Sequence, residues 1–270
     1  MEDRSPAGPK FTNFPSLRSL LAIFTVLGVV ASLTSPFPGR SQGAEKSDID
    51  IAMSLATMLQ VARSVISKNQ DLINDPARGD KGLTGEVVLA ATIADYKKET
   101  SQDPLALDPN SREGRLLRAE MSAIKEVIDE SQSLINEKGL GFKGFIPAVF
   151  GRLITERLRE KAEAELSIKV TAPPELVRNR KSRPDDWERE IIESKFLSPT
   201  WPHGQVYSQH VRERNTDAFR VMVPEYYSAS CLSCHGGTKG AIDITGYPKE
   251  GAKEGDLGGI ISITLFRPPQ

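Results

Sequence analysis

An α+β chain, with antiparallel helices leading and a small antiparallel sheet following, is what this sequence predicts. Apolar residues up to Ala164 recur at three- and four-residue steps, after which the pattern changes to alternation. The order is then strand, helix and several strands, which suits a sheet with its helices segregated rather than an alternating βαβ fold. Length and composition agree. The 270 residues include 39% hydrophobic and 26% charged side chains, enough for a core and too apolar for disorder. A formal net charge of −1 lacks the basic excess of a nucleic-acid binder.

The first segment reads as an export signal covering residues 1–44. Lys10 and Arg18 precede an uncharged run from Leu20 to Leu33, Pro36 and Pro38 break it, and Ser41, Gly43 and Ala44 offer small residues for cleavage. The run is short for a permanent span. Export to the periplasm or an equivalent compartment is therefore expected, with membrane contact only if this segment stays attached.

Residues 45–164 form the helical region. Ile49, Met53, Ala56, Leu59, Ala62, Ile66 and Ile73 mark one amphipathic helix from Lys46 to Asn74, capped by Ser47 or Asp48. Further helices are predicted from about Thr84 to Lys98, Glu113 to Asn136 and Pro147 to Ala164. The region looks duplicated. Val65-Ile66, Gln70, Leu72-Ile73-Asn74 and Lys81-Gly82 match Val127-Ile128, Gln132, Leu134-Ile135-Asn136 and Lys143-Gly144 at one constant spacing. Two copies make paired helices, not a solenoid.

Residues 165–270 carry the strands. Leu166 to Val170, Gln205 to Val211, Ala218 to Val223 and Gly258 to Phe266 are the candidates, with a short helix near Asp185–Phe196 after the first.

Chemistry concentrates at Cys231-Leu232-Ser233-Cys234-His235, the pattern of covalent haem attachment. Two thiols at this spacing can each add to one vinyl group of a porphyrin, and the adjacent imidazole then reaches the iron. Other readings of two cysteines are a thioredoxin-like dithiol, a zinc site and a simple disulfide. The dithiol normally opens a helix after a strand of a βαβ unit, and none is visible. Zinc wants four ligands, whereas the chain offers two cysteines and three histidines, His203, His210 and His235.

For a second axial ligand the candidates are His210 first and Met222 second, with Met53, Met58 and Met121 reaching from the helices. Any methionine is equally a core filler. Arg178 and Asn179, in a basic cluster with Arg180 and Arg183, are candidate partners for haem propionates, and Trp187 and Trp201 could wall a porphyrin. No nucleophile–base set, paired-carboxylate site or phosphate loop is present, so an enzyme is not expected.

A family resemblance rests on these residues in one order: Lys143 to Pro147, Phe150-Gly151, Lys169 to Thr171, Arg178-Asn179, Pro184-Asp185, Trp187-Glu188, the Cys231–His235 motif with Gly236, and Gly255 to Gly259. Over roughly residues 45 to 268 the chain resembles exported single-haem c-type proteins with a Per-Arnt-Sim-like (PAS-like) haem domain, catalogued as a domain of unknown function. The resemblance implies one covalent haem c and a helical portion packed on a PAS-like sheet. It implies a role in one-electron transfer or redox sensing, or in sensing a gas, through a redox or signalling protein that the sequence does not name. In that family a cysteine on an N-terminal helix is associated with the sixth iron position. This chain has no third cysteine, so a thiolate there does not carry over.

Overall fold

The computed structural model describes residues 46–162, 165–213 and 215–267. The predicted export segment lies outside them. The described residues form one compact unit.

Among the described residues eight helices and four strands follow the predicted order. α1 (Asp48–Lys68) is opened by Ser47, whose hydroxyl accepts from the Asp50 amide at 3.4 Å. After Asn69 the chain restarts as α2 (Gln70–Asn74). α3 (Gly85–Thr100) is capped by Thr84, and α4 (Arg112–Glu130) by Ser111. A break at Ser131 leads to α5 (Gln132–Ile135), and α6 (Pro147–Ala162) closes the helical part.

The duplication is structural. The break at Asn69 recurs at Ser131, and α3 recurs as α6 at the spacing seen in the sequence. The copies also bond each other reciprocally. Gln70 donates to the Phe145 carbonyl at 3.0 Å, and Gln132 to the Leu83 carbonyl at 2.9 Å. The Lys81 amide donates to Asn136 Oδ1 at 2.9 Å, and the Lys143 amide to Asn74 Oδ1 at 3.1 Å. Such exchange between equivalent positions is the mark of an isologous interface, here within one chain. Gly82 and Gly144, at φ 66° and 69°, make the same left-handed turn in each copy.

The sheet runs β1-β4-β3-β2, all antiparallel, from β1 (Leu166–Thr171), β2 (Tyr207–Glu213), β3 (Thr216–Tyr226) and β4 (Leu257–Phe266). Alternation along the strands divides two faces. Val221, Val223, Ile261, Ile263 and Leu265 join Leu55, Leu59, Ile124 and Phe150 of the helices in one core. Met222 and Ile260 face the other way, against Ile191 and Ile192. Those two belong to α7 (Asp186–Ile191) and the π-helical turn Ile192–Phe196 that continues it. A capping box between Asp185 and Glu188 starts α7.

α1 is long and apolar enough by length and composition to cross a bilayer, yet 56% of its most apolar stretch is buried within the fold. It is the central core helix of the described residues.

Candidate functional site

The motif sits where β3 leaves the sheet. After Tyr226 a short 3₁₀ turn (Ala229–Cys231) runs into the single helical turn α8 (Leu232–His235), which ends as Gly236 becomes extended. Cys231 and Cys234 are both free, half-buried thiols. Cys231 Sγ lies 3.3 Å from the Ser228 hydroxyl, and Cys234 Sγ 3.8 Å from that of Ser233.

His235 is oriented from one side. Its Nδ1 lies 2.8 Å from Glu250 Oε2 and 3.3 Å from the Tyr227 hydroxyl, and the Tyr227 ring stacks on it at 4.7 Å. Its backbone carbonyl accepts from the amides of Gly251 and Ala252 at 3.0 and 2.9 Å. The Nε2 atom has no partner among the described residues. That division, one ring nitrogen anchored to a carboxylate and the other left as donor, is the usual arrangement of a metal-ligating histidine.

Arg178 ties the segment together. Its Nε and Nη2 reach the two oxygens of Glu250 at 2.9 and 3.0 Å, Nη1 reaches Asp243 Oδ2 at 2.6 Å, and Nη2 also donates to the Cys234 carbonyl at 3.1 Å. Its guanidinium lies 5.5 Å from the Tyr247 ring centroid. Burial would lower the Arg178 pKa, but the bonds to Glu250 and Asp243 outweigh it and raise it. Burial would likewise push Glu250 up, yet its hydrogen bonds to Arg178 and His235 hold it below the ordinary carboxylate range. Asp243 is held far below that range despite burial, through Thr245, Arg178 and two backbone amides. The phenol of Tyr227 is pushed up to about 12 by burial and by the nearby Glu250 charge, so it stays protonated.

A second clamp comes from the helices. Arg63 Nη1 on α1 meets both oxygens of Glu225, at 2.8 and 2.6 Å, one residue before the end of β3. The Ser67 hydroxyl lies 3.4 Å from that of Ser230. Burial would lower the Arg63 pKa, and Glu225 with a smaller contribution from Cys231 raises it instead.

Of the residues singled out from the sequence, the structure brings Arg178 to the motif but not the two candidates for the second axial position. His210 is exposed on β2 opposite Phe219, against whose ring it packs at 4.7 Å. From Phe219 to the end of β3 is about 23 Å at the usual strand rise. Met222 is fully buried on the face that packs against α7. His203 stacks on Tyr226 at 3.7 Å, while Met58 and Met121 fill the main core. Asn179 is exposed, its side chain accepting from the Lys181 amide at 3.0 Å. Trp187 lies under Arg220, whose guanidinium is 4.1 Å from its ring centroid, and Trp201 packs on Phe196 and Tyr207.

Glu250, Asp243, Tyr227, Arg63 and Glu225 were not legible as site residues. The one signal near any of them was the Arg178 cluster, read from the sequence as a partner for haem propionates, whereas in the structure Arg178 pairs with Glu250 and Asp243.

No three His, Cys, Asp or Glu side chains among the described residues converge as a metal-binding set. What fold and site define together is an α+β protein presenting two free thiols and a half-anchored imidazole at the end of a sheet strand. A family model described as Tll0287-like matches residues 40–265, and the chain belongs to that family. No curated protein and no solved structure matches it.

Proposed function

We propose that this is an exported c-type haem protein working in one-electron transfer or redox sensing, with one haem held through Cys231 and Cys234 and His235 as iron ligand. The observation that carries this reading is the His235 environment, with Nδ1 fixed by Glu250, Nε2 free and two free thiols within one helical turn. The donor set fits the group. Each thiol adds its S–H across one vinyl double bond, sulfur to one carbon and hydrogen to the other, with no oxidant and no leaving group. Haem c when bound supplies an iron(III)/iron(II) couple.

The protein's own residues then set the conditions. Glu250 accepts the Nδ1–H of His235, fixes the tautomer and strengthens the imidazole as a donor. Arg178 holds Glu250 in place and shares its charge, and Tyr227 keeps the ring plane. The PAS-like character and the export step are part of this reading. They are supported by the antiparallel sheet and by the Leu20–Leu33 run respectively.

The test is a pyridine haemochrome spectrum of the chain produced alongside a cytochrome c maturation system, with Cys234→Ala in parallel. The wild type should hold haem through denaturing electrophoresis, and the variant should lose the two-thioether spectrum. A folded, colourless wild type overturns the reading.

The placement of His210 and Met222 away from the motif favours a second reading, a sensor with an open sixth position that signals through a partner protein. Iron coordination separates the two. Six-coordinate iron in both oxidation states supports electron transfer, and a five-coordinate ferrous form that binds carbon monoxide supports sensing.

A further inference from the structure

The two helical repeats are not equivalent inside. At five buried positions one copy carries a polar side chain where the other carries an apolar one. Ser54, Thr92 and Tyr96 stand where the second repeat has Leu116, Ile154 and Leu158, and Glu113 and Glu120 stand where the first has Ile51 and Met58. All ten are buried, and the five polar ones belong to α1, α3 and α4. Three of them come from the first copy and two from the second, and Ser54, Tyr96 and Glu113 meet between the helices.

Four of the five are accounted for. Thr92 donates to the Val88 carbonyl at 2.8 Å within its own helix. Ser54 donates to Glu113 Oε1 at 2.7 Å, and Lys46 Nζ reaches the same oxygen at 2.9 Å. The Tyr96 phenol lies within reach of Ser54, with Glu113 and Lys46 nearby, and burial raises its pKa. Glu120 is the exception. It is 0% exposed, and neither carboxyl oxygen has a hydrogen-bond partner among the described residues.

We infer that Glu120 is a proton-binding site of the helical half, occupied at neutral pH and emptied under alkaline conditions only at the expense of helix packing. A bare carboxylate without donor or cation in an apolar core costs several kcal/mol, whereas the neutral acid costs far less. Burial alone drives the shift, well above the ordinary glutamate range.

A surface cavity of about 360 Å³, whose lining includes Lys46, Asp50, Ser54 and Tyr96, brings water to the neighbouring polar cluster, but Glu120 is not among the residues that line it. The titratable group tied to Glu120 is Tyr96 from α3, whose phenol also senses Glu113 and Lys46, and burial is what acts on Glu120 itself. None of the three bonds to it. A carboxyl whose folded-state pKa is raised contributes stability below its unfolded value of about 4.3, and that contribution is lost as pH rises through the folded value.

The experiment is thermal unfolding of the full chain over about pH 5 to 9 for wild type, Glu120→Gln and Glu120→Met, the last being the residue of the other repeat. The wild-type melting temperature should fall relative to both variants as pH rises. An infrared difference spectrum, wild type minus Glu120→Gln at neutral pH, should show the carbonyl stretch of a protonated carboxylic acid. Parallel melting curves at every pH, or a carboxylate band in place of the acid, overturn the inference. If Glu120→Met fails to fold, Glu120→Gln preserves the volume and decides alone. None of this depends on haem.

Discussion

In the helical half, the backbone amides of two buried lysines are satisfied by the equivalent group of the other repeat, Asn74 for Lys143 and Asn136 for Lys81. At the motif, by contrast, Glu250, Asp243 and the Cys234 carbonyl all converge on Arg178. The first scheme distributes the load, since losing one bond leaves its counterpart intact. The second concentrates it, since one side chain holds Glu250, which anchors His235, together with Asp243 and the Cys234 carbonyl. A helical scaffold gains from redundancy. A site built to present an imidazole and two thiols gains from a tight local clamp that leaves their reactive atoms free.

The sharpest way to break this comparison is Arg178→Met. It strips the cation from Asp243, whose side chain is 0% exposed, and from Glu250. Breaking a buried ion pair from one side costs roughly 3 kcal/mol or more, and Arg178, itself 21% exposed, belongs at the low end of that range. The loss should appear as faster hydrogen exchange at the Gly251 and Ala252 amides, which bond to the His235 carbonyl, with helical amides unchanged. Loss spread evenly over the helices would show that the clamp is not local.

Smaller effects test the redundancy. Asn74→Ala and Asn136→Ala each remove the acceptor of one buried-lysine amide, worth about 1 kcal/mol. Asn136→Ala should cost somewhat more, since Asn136 also donates to Gln132 Oε1 at 3.0 Å, and the double variant should approach the sum of the two, because no residue is common to both sets of bonds. Denaturant midpoints of the three variants measure this. A strongly unequal pair would mean that the repeats no longer carry equivalent loads.

What the sequence made legible follows the range of the interactions. Helix ends were readable where a capping residue stands at the boundary, as at Ser47 and Asp185. The breaks at Asn69 and Ser131 were not, because the apolar period runs across both. β3 continues past the predicted Val223 through Pro224, which lies opposite Ile260 in the ladder. A missing N–H costs little that close to a strand end, just before the register irregularity at Glu225 and Tyr226. At the site, Cys231, Cys234 and His235 were legible because they are contiguous. Arg178 was noticed for its charge, but Glu250 and Asp243 reach it from far along the chain, a pairing that no local spacing encodes. Strand position alone brought His210 and Met222 into consideration. Register then sends Met222 to the face against α7 and His210 to the far end of the sheet.

The least effect near neutral pH, and the one that separates the two regions by sign, is titration of the clamp. Burial acts to raise Glu250 and Asp243, and the hydrogen bonds they accept more than reverse it, so both are held low. A depressed carboxylate contributes stability above its unfolded pKa of about 4, and that contribution is lost as pH falls through the folded value. Protection of the Gly251 and Ala252 amides should therefore be flat from about pH 8 to 5 and fall only in stronger acid. Glu250→Gln should remove part of that fall, since the amide keeps the shape without the charge. The helical half should behave oppositely, losing stability toward alkaline pH through Glu120. If protection of the Gly251 and Ala252 amides instead fell between about pH 7 and 6, carboxylates with depressed pKa values could not account for it. The view of Arg178 as the element that holds the motif would then have to be given up.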